Sequence, residues 1–422
     1  MLSPTHAVPP DQRDPGQRVV LTGLGAVSPF GLGADAFLAG VREGRSTIAP
    51  ITDFPLDGCL CGLGSRVGGL DLAAYDDGGA FRRAPRATRY TIAATAEAFA
   101  QATGGELPWQ TERIGICLGT YRAMSEVSEV LWTKLIESEP RFLPALLFQE
   151  TVTNAVASAV SIRWGLRGTS YAISAGNACG HQVLFLAAHA LLTGRADAVL
   201  AGAFDLFTSA NHHDMDDLGM LSPSGASRPF DRRRDGFVLG EGAAVVVVET
   251  LAGARRRGAR VLAELAGIGI GHDAYAFAAN HPDGVGLAEA IERALGAAAA
   301  RPEQIGYVGA AANSTAALDL AESRALRRAF GPAADAVPVS SLKGATGEAM
   351  AASDLFNLIA CVGAVRDGRL PPQAGTHEVD PECGLNLVTQ ATSRSTSERA
   401  LAHSYSYFGG NAAAVVVQSC AG

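Results

Sequence analysis

The chain is short of the features that mark several large protein classes. No run of eighteen apolar residues occurs in its 422 residues, so no membrane-spanning helix is expected. The N-terminus shows no basic-then-apolar leader pattern. Seven cysteines, at 59, 61, 117, 179, 361, 383 and 420, include no CxxC pair, and an odd, scattered set fits a reduced cytoplasmic protein. Cys59 and Cys61 form only a CxC with no histidine close in sequence, so no metal centre is expected. A net charge of −8 offers no bulk attraction for nucleic acid or an anionic membrane, and the trio Arg255, Arg256 and Arg257 reads as a solvated helix end. Aromatics make up only 6% of the chain.

What is abundant is small and apolar: 49 glycines and a 48% hydrophobic content. Side chains of that size let helices approach strands closely, which suits a layered α/β architecture. Residues 1–17 carry proline and polar residues without periodicity and are expected to form a disordered tail. From Arg18 the text alternates short apolar strands ending in glycine with helical segments. "RVVLTGLGAVSPFG", "RIGICLGT" and "DAVLAGAF" are strands of a first half, 18–258. "IGYVGAAANST", "VPVSSLKGATGE" and "AAAVVVQS" are strands of a second, 259–422, which suggests two related halves. The GxG at Gly23 never completes GxGxxG, so neither a dinucleotide site nor any other cofactor is expected.

One stretch has the setting of a reactive residue. The strand "TSYAIS" meets the small-residue turn "AGNACG", and a helix begins near Cys179. A residue in that turn sits at a helix N-terminus, where amide N–H groups and the helix dipole stabilise a thiolate or an oxyanion.

At this point the chain resembles the β-ketoacyl-ACP synthases of the thiolase superfamily. The most specific piece is "SRPFDRRRDGFVLGEGAAVVVVE", Ser227 to Glu249, similar to that family's RPFDxxRDGFVxGEGAG signature. The resemblance covers residues 18 to 420 and implies a thiolase-like α-β-α-β-α sandwich of two related halves, each with a mixed five-stranded sheet. It also implies a catalytic Cys and two His supported by a Lys. Counting back from Gly194 in "LLTGRADAVLAGAF" puts Asn177, not Cys179, at the cysteine position. "VGAAANSTAALDLAE" puts Ala311 where the first His belongs, and "KGATGE" puts Glu348 at the second while Lys343 is retained. A delocalised amide does not replace a thiolate. Ala311 offers no side-chain donor for the enolate of a decarboxylating malonyl group, and a carboxylate at 348 would repel it.

The pattern is similar to the chain-length factor, or ketosynthase β subunit, of type II polyketide synthases, where an amide, usually Gln, fills the cysteine position. That resemblance implies a heterodimer with an active ketosynthase α subunit, formed through the strand around Thr169 to Ser174. It also implies an acyl carrier protein bearing malonyl or polyketide chains as a partner. Met124, Val127, Leu131 and Leu135 recur at helical spacing. They form either ordinary core or, as the resemblance implies for Met124, Val127 and Leu131, the wall of a chain tunnel. Two other readings stay open: a stand-alone acyl-thioester enzyme using Cys179 or Glu348, and a purely structural pseudoenzyme partner. Cys179 otherwise reads as a buried apolar filler, with His181 too far round the helix to serve it. Lys343 is expected to neutralise Glu348 or Asp319. "NHHDMDD", Asn211 to Asp217, reads as a solvated helix or loop, since adjacent histidines need help from another segment to share a metal.

Overall fold

Alternation of β-branched runs with glycine gives strands buried on both faces, a pattern that requires layers on either side. The computed structural model describes residues 17–71, 75, 79, 81–122 and 124–420, so nearly all of the expected tail lies outside the described residues. The first half contributes β1 (Val19–Ser28), β2 (Ile114–Gly119), β3 (Ser170–Ile173), β4 (Ala198–Asp205) and β5 (Gly242–Thr250). The second contributes β6 (Ala263–His272), β7 (Val308–Gly309), β8 (Val339–Ser340), β9 (Arg399–Tyr405) and β10 (Asn411–Gln418). The expected strands "IGYVGAAANST" and "VPVSSLKGATGE" thus shrink to two paired residues each, because the polar residues that follow turn inward to the site.

Strand order is β3-β2-β4-β5-β1 in the first half and β8-β7-β9-β10-β6 in the second. Numbered within each half, both read 3-2-4-5-1. In both, the fifth strand runs antiparallel to its two neighbours, while the second is parallel to the strands beside it. The halves meet where β1 pairs with β6, Val20 opposite Glu264 and Leu21 opposite Ala263.

Helices complete the layers. α1 (Arg86–Thr103), α2 (Ser125–Glu137) and α3 (Ala155–Trp164) belong to the first half, and α4 (Cys179–Leu192) and α5 (Ser209–Asp217) follow β3 and β4. α6 (Val285–Ala297), α7 (Ala316–Phe330) and α8 (Ala351–Asp367) belong to the second half. α4 and α8 form the middle layer, with Val246 and Val248 of β5 on one side of them and Val415 and Val417 of β10 on the other. The intervening residues face outward: Val245 and Val247 toward α1, Ala414 and Val416 toward α6 and α7. This is the period-two alternation of a strand, used twice.

The glycines explain how tightly the outer helices sit. A Cβ on Gly23 would lie 2.1 Å from the carbonyl oxygen of Ala98 on α1, and one on Gly25 1.9 Å from that of Ala94. In the second half Gly267 and Gly269 meet Ala294 and Ala290 of α6 in the same way, at 2.2 and 2.0 Å. The GxG of β1 is therefore a packing device repeated in both halves.

Two sequence expectations need correction. Arg257 is no solvated helix end: its guanidinium donates to Glu249 at 2.9 Å and to the Ala102 carbonyl at 2.7 Å, and lies 4.8 Å from the Trp109 ring centre. Only Arg255 and Arg256 are exposed. "NHHDMDD" is largely α5, and it is not solvated throughout, since Asn211, His212 and Met215 are buried. No helix among the described residues is long and apolar enough to cross a membrane.

Candidate functional site

The N-termini of α4 and α8 converge at the centre of the fold. Before α4 the chain turns at Gly176, whose φ of +68° suits glycine, and whose missing Cβ leaves room for Ser406. Asn177 follows, 2% exposed, and its Nδ2 lies 3.8 Å from Met350 Sδ. Its Oδ1 has no partner among the described residues. Met350 precedes α8 at φ +51°, a conformation that costs a non-glycine residue of order 1–3 kcal/mol and that the surrounding bonds must hold in place. The Tyr407 hydroxyl donates to the same sulfur at 2.9 Å, so thioether, amide and phenol fill the end of the turn.

Behind Met350 lies a closed ion pair. Lys343 Nζ donates to Glu348 Oε2 at 2.7 Å and to the Ala311 carbonyl at 2.7 Å. Asn313 Nδ2 donates to the same carboxylate oxygen at 3.2 Å, while Oε1 accepts from the Met350 amide at 3.0 Å and the Ser353 hydroxyl at 3.3 Å. Glu348 is fully buried and its acceptor sites are occupied. The three positions expected to be degenerate, Asn177, Ala311 and Glu348, are therefore linked through Met350 and Lys343. Lys343 pairs with Glu348, not with Asp319. Asp319 instead accepts the amides of Phe230, Asn313 and Ser314, and burial pushes its carboxyl up to about 7.

Two further carboxyls tie the helix N-termini down. Asp205, at the end of β4, accepts the amides of Tyr121, Arg122 and Ala351, with its pKa raised to about 6 by burial. Asp354 of α8 accepts the His181 amide at 3.3 Å, and burial holds its carboxyl well above the usual range.

Sequence reasoning missed a pair of buried histidines. His181 of α4 places Nδ1 3.1 Å from the Ser404 hydroxyl, and burial, then neighbouring His403, lowers its pKa to about 3. His403 of β9 reaches Glu322 Oε1 at 2.9 Å, and the same oxygen accepts the Ala311 amide. A histidine inside the apolar run "LAHSYSYFGG" was the available signal.

The chemistry left to this centre is narrow. Cys179 Sγ is fully buried beside Gly119, and burial drives its thiol well above the ordinary range, away from a nucleophile's needs. Glu348 is committed to Lys343, and Ala311 presents no donor side chain. The family signature is a structural clasp: Asp231 accepts the amides of Arg233, His377 and Glu378, and buried Glu241 is held by Arg66 and Arg86.

Near the sheet edge, Met124 and Val127 are buried in the core under β2 and Leu131 is half-buried. Met124 precedes α2, and Val127 is the only side chain of that helix fully buried. The segment also carries exposed apolar residues the stripe did not include: Val130, Trp132 and Ile136, the last 82% exposed. Phe148 and Ile162 are exposed nearby in sequence, and among the described residues β3 ends the sheet without an outer neighbour.

Comparison with known proteins agrees with this architecture. Residues 16–254 match the beta-ketoacyl synthase N-terminal domain and residues 262–377 its C-terminal domain. The chain is 31% identical over 401 residues to 3-oxoacyl-[acyl-carrier-protein] synthase 2 of Synechocystis sp., covering 94% of this chain and 96% of that one. It is 32% identical over 426 residues to the tetracenomycin polyketide synthase ketoacyl synthase alpha subunit of Streptomyces glaucescens, covering 95% and 97%. Among solved structures, the ishigamide ketosynthase/chain length factor superposes with a TM-score of 0.86 at 28% identity, covering 96% and 99%. A type II PKS acyl-carrier protein in complex with its ketosynthase bound to the hexaketide gives 0.86 at 26% identity, with the same coverage. With both domains matched in order along its length and a thiolase-like fold around them, the chain belongs to the beta-ketoacyl synthase family.

Proposed function

We propose that this chain is the non-nucleophilic, chain-length-factor subunit of a type II polyketide synthase. In this reading it pairs with an active ketosynthase α subunit and works on chains carried by an acyl carrier protein. The observation that carries the reading is the sealed centre: Asn177 stands at the helix N-terminus where a thiolate would be stabilised, and Glu348 is locked to Lys343. Such a centre has no thiolate to take up an acyl group, and positions 311 and 348 offer no imidazole donors to an enolate. The stand-alone enzyme using Cys179 or Glu348 loses its support to the same geometry.

The free edge of β3 and the exposed apolar side chains of α2 and α3 support the pairing, because an unpaired strand edge and clustered apolar surface are liabilities in a lone subunit. Obligate interfaces of this kind bury more than roughly 2,000 Å². A likeness to both fatty-acid and polyketide synthases is compatible with the reading, and the structure with a chain length factor adds to it. Met124, Val127 and Leu131 are the residues proposed to wall the growing chain in the pair.

The test is co-expression with an active type II ketosynthase α subunit. Condensation of malonyl units, read as carrier-protein-bound intermediates by mass spectrometry, should require both chains. Stoichiometric acylation of Cys179 in the isolated chain would overturn the proposal. If the pair forms and condenses with unaltered lengths in tunnel variants, the chain is a structural partner only.

A further inference from the structure

Outside the centre, the fold brings together three soft or borderline donors that are far apart in sequence. Cys59 lies on the loop before Leu63, and His212 and His213 are consecutive on α5. Their ligand atoms all lie within 4.8 Å of one another. Asp216, on the next turn of α5, accepts the amides of Leu60 at 2.8 Å and Cys61 at 3.0 Å. That bridge is the second segment that the adjacent histidines lacked in the sequence, and it delivers the Cys59 sulfur to them.

The two rings are prepared differently. His213 Nδ1 sits 2.8 Å from the Ser209 carbonyl oxygen, which only accepts, so Nδ1 carries the proton and Nε2 keeps its lone pair. That is how a carbonyl orients a ligating imidazole from behind. His212 is wholly buried, and neither of its ring nitrogens has a partner among the described residues. Its ring is flanked by Phe54 and Phe207, with centroids 5.7 and 6.5 Å away, and by His213 at 6.2 Å. Buried polar atoms in native proteins are satisfied, and a fully buried imidazole with two empty nitrogens asks for a partner that is not a side chain. Asp57, Asp216 and Asp217 add negative potential around the sulfur.

We infer that Cys59, His212 and His213 bind a single thiophilic divalent cation, zinc by donor chemistry. One thiolate and two imidazoles suit Zn²⁺ and its probe Co²⁺ and do not suit Mg²⁺ or Ca²⁺. Tetrahedral zinc spaces such ligand atoms roughly 3.3–3.6 Å apart, so side-chain rotation closes the set. The thiol proton passes to solvent as the metal–sulfur bond forms. Three protein donors leave a fourth position for water. The consequence reaches α2: Asn211 of the same helix donates to Ser125 Oγ at 2.9 Å and accepts from Arg122 at 3.1 Å, so a cation here would brace the start of the segment carrying Met124 and Val127.

Co²⁺ titration of the full-length chain under reducing conditions tests this. One equivalent should bind with a near-ultraviolet sulfur-to-cobalt charge-transfer band and intense visible bands of a tetrahedral site, and Zn²⁺ should displace it. Cys59→Ser should abolish the charge-transfer band, and His213→Gln, on a half-buried residue that leaves the fold intact, should weaken binding at least about tenfold. Cys61→Ser should change neither. Absence of stoichiometric binding in the wild-type chain, or binding unchanged in both Cys59→Ser and His213→Gln, would overturn the assignment.

Discussion

Lys343 and Glu348 satisfy each other inside the chain, together with Asn313, Ser353 and the Ala311 carbonyl, whereas Trp132, Ile136 and Ile162 stand exposed at the sheet edge. In the first region a buried ammonium and carboxylate are fully engaged with each other and with their neighbours. The second has apolar surface that a lone soluble chain has no use for. The contrast is between a polar centre satisfied from within and apolar surface left uncovered, and each prediction below presses on one side of it.

The largest effect belongs to the closed pair. Glu348→Ala strands a buried ammonium and should cost about 3–5 kcal/mol in denaturant unfolding, while the double change Lys343→Met with Glu348→Leu should recover most of it. A mild single variant would mean that the centre is wetter and more open than its bonds indicate.

On the boundary side, Ile136→Asp should leave the unfolding of the lone chain within about 0.5 kcal/mol, because the side chain is exposed. Association with the ketosynthase partner should weaken by at least about 2 kcal/mol, roughly thirtyfold, in sedimentation or calorimetry. Equal binding by the variant would remove this face from the interface.

Between the two regions lie the buried residues of the α2 segment. Val127→Phe or Met124→Trp should cost roughly 1–3 kcal/mol through overpacking and shift carrier-bound products of the assembled pair toward shorter chains. Unchanged lengths with the pair intact would detach these residues from the tunnel.

The effect that is smallest at neutral pH, and that grows with acid, is that of His181. His181 has its folded pKa lowered to about 3, so the unfolded chain binds a proton that the folded one refuses as pH falls below about 6.5. This group's contribution is complete above that pH and declines by about 1.4 kcal/mol per unit toward pH 3. Asp205 and Asp319, with folded pKa values raised to about 6 and about 7, act in the opposite sense: their contribution is complete below about pH 4 and is lost as pH rises through those values. Replacing His181 with Gln should therefore make stability between pH 4 and 6 less sensitive to acid in thermal melts, and an unchanged profile would mean that His181 is not held neutral.

The amino-acid sequence by itself determined most of the strands, the small-residue packing and the family, because each of these is written in local periodicity or in contiguous motifs. Gly194 illustrates this: a glycine just beyond the apolar run ends α4 at Leu192, and its φ of +69° is a conformation that suits glycine. Only the tertiary structure decided which charges meet. Lys343 meets Glu348, while Asp319 is taken up by three backbone amides with Arg234 beside it, and no spacing in the text encodes that division. His181 faced Ser404, and Cys59 reached His212 and His213, only because sheet order and a single carboxylate bridge bring distant segments into contact. Exposure of the α2 face was equally illegible, since Ile136 and Val127 are alike as letters and differ only in which side of the helix the rest of the fold covers.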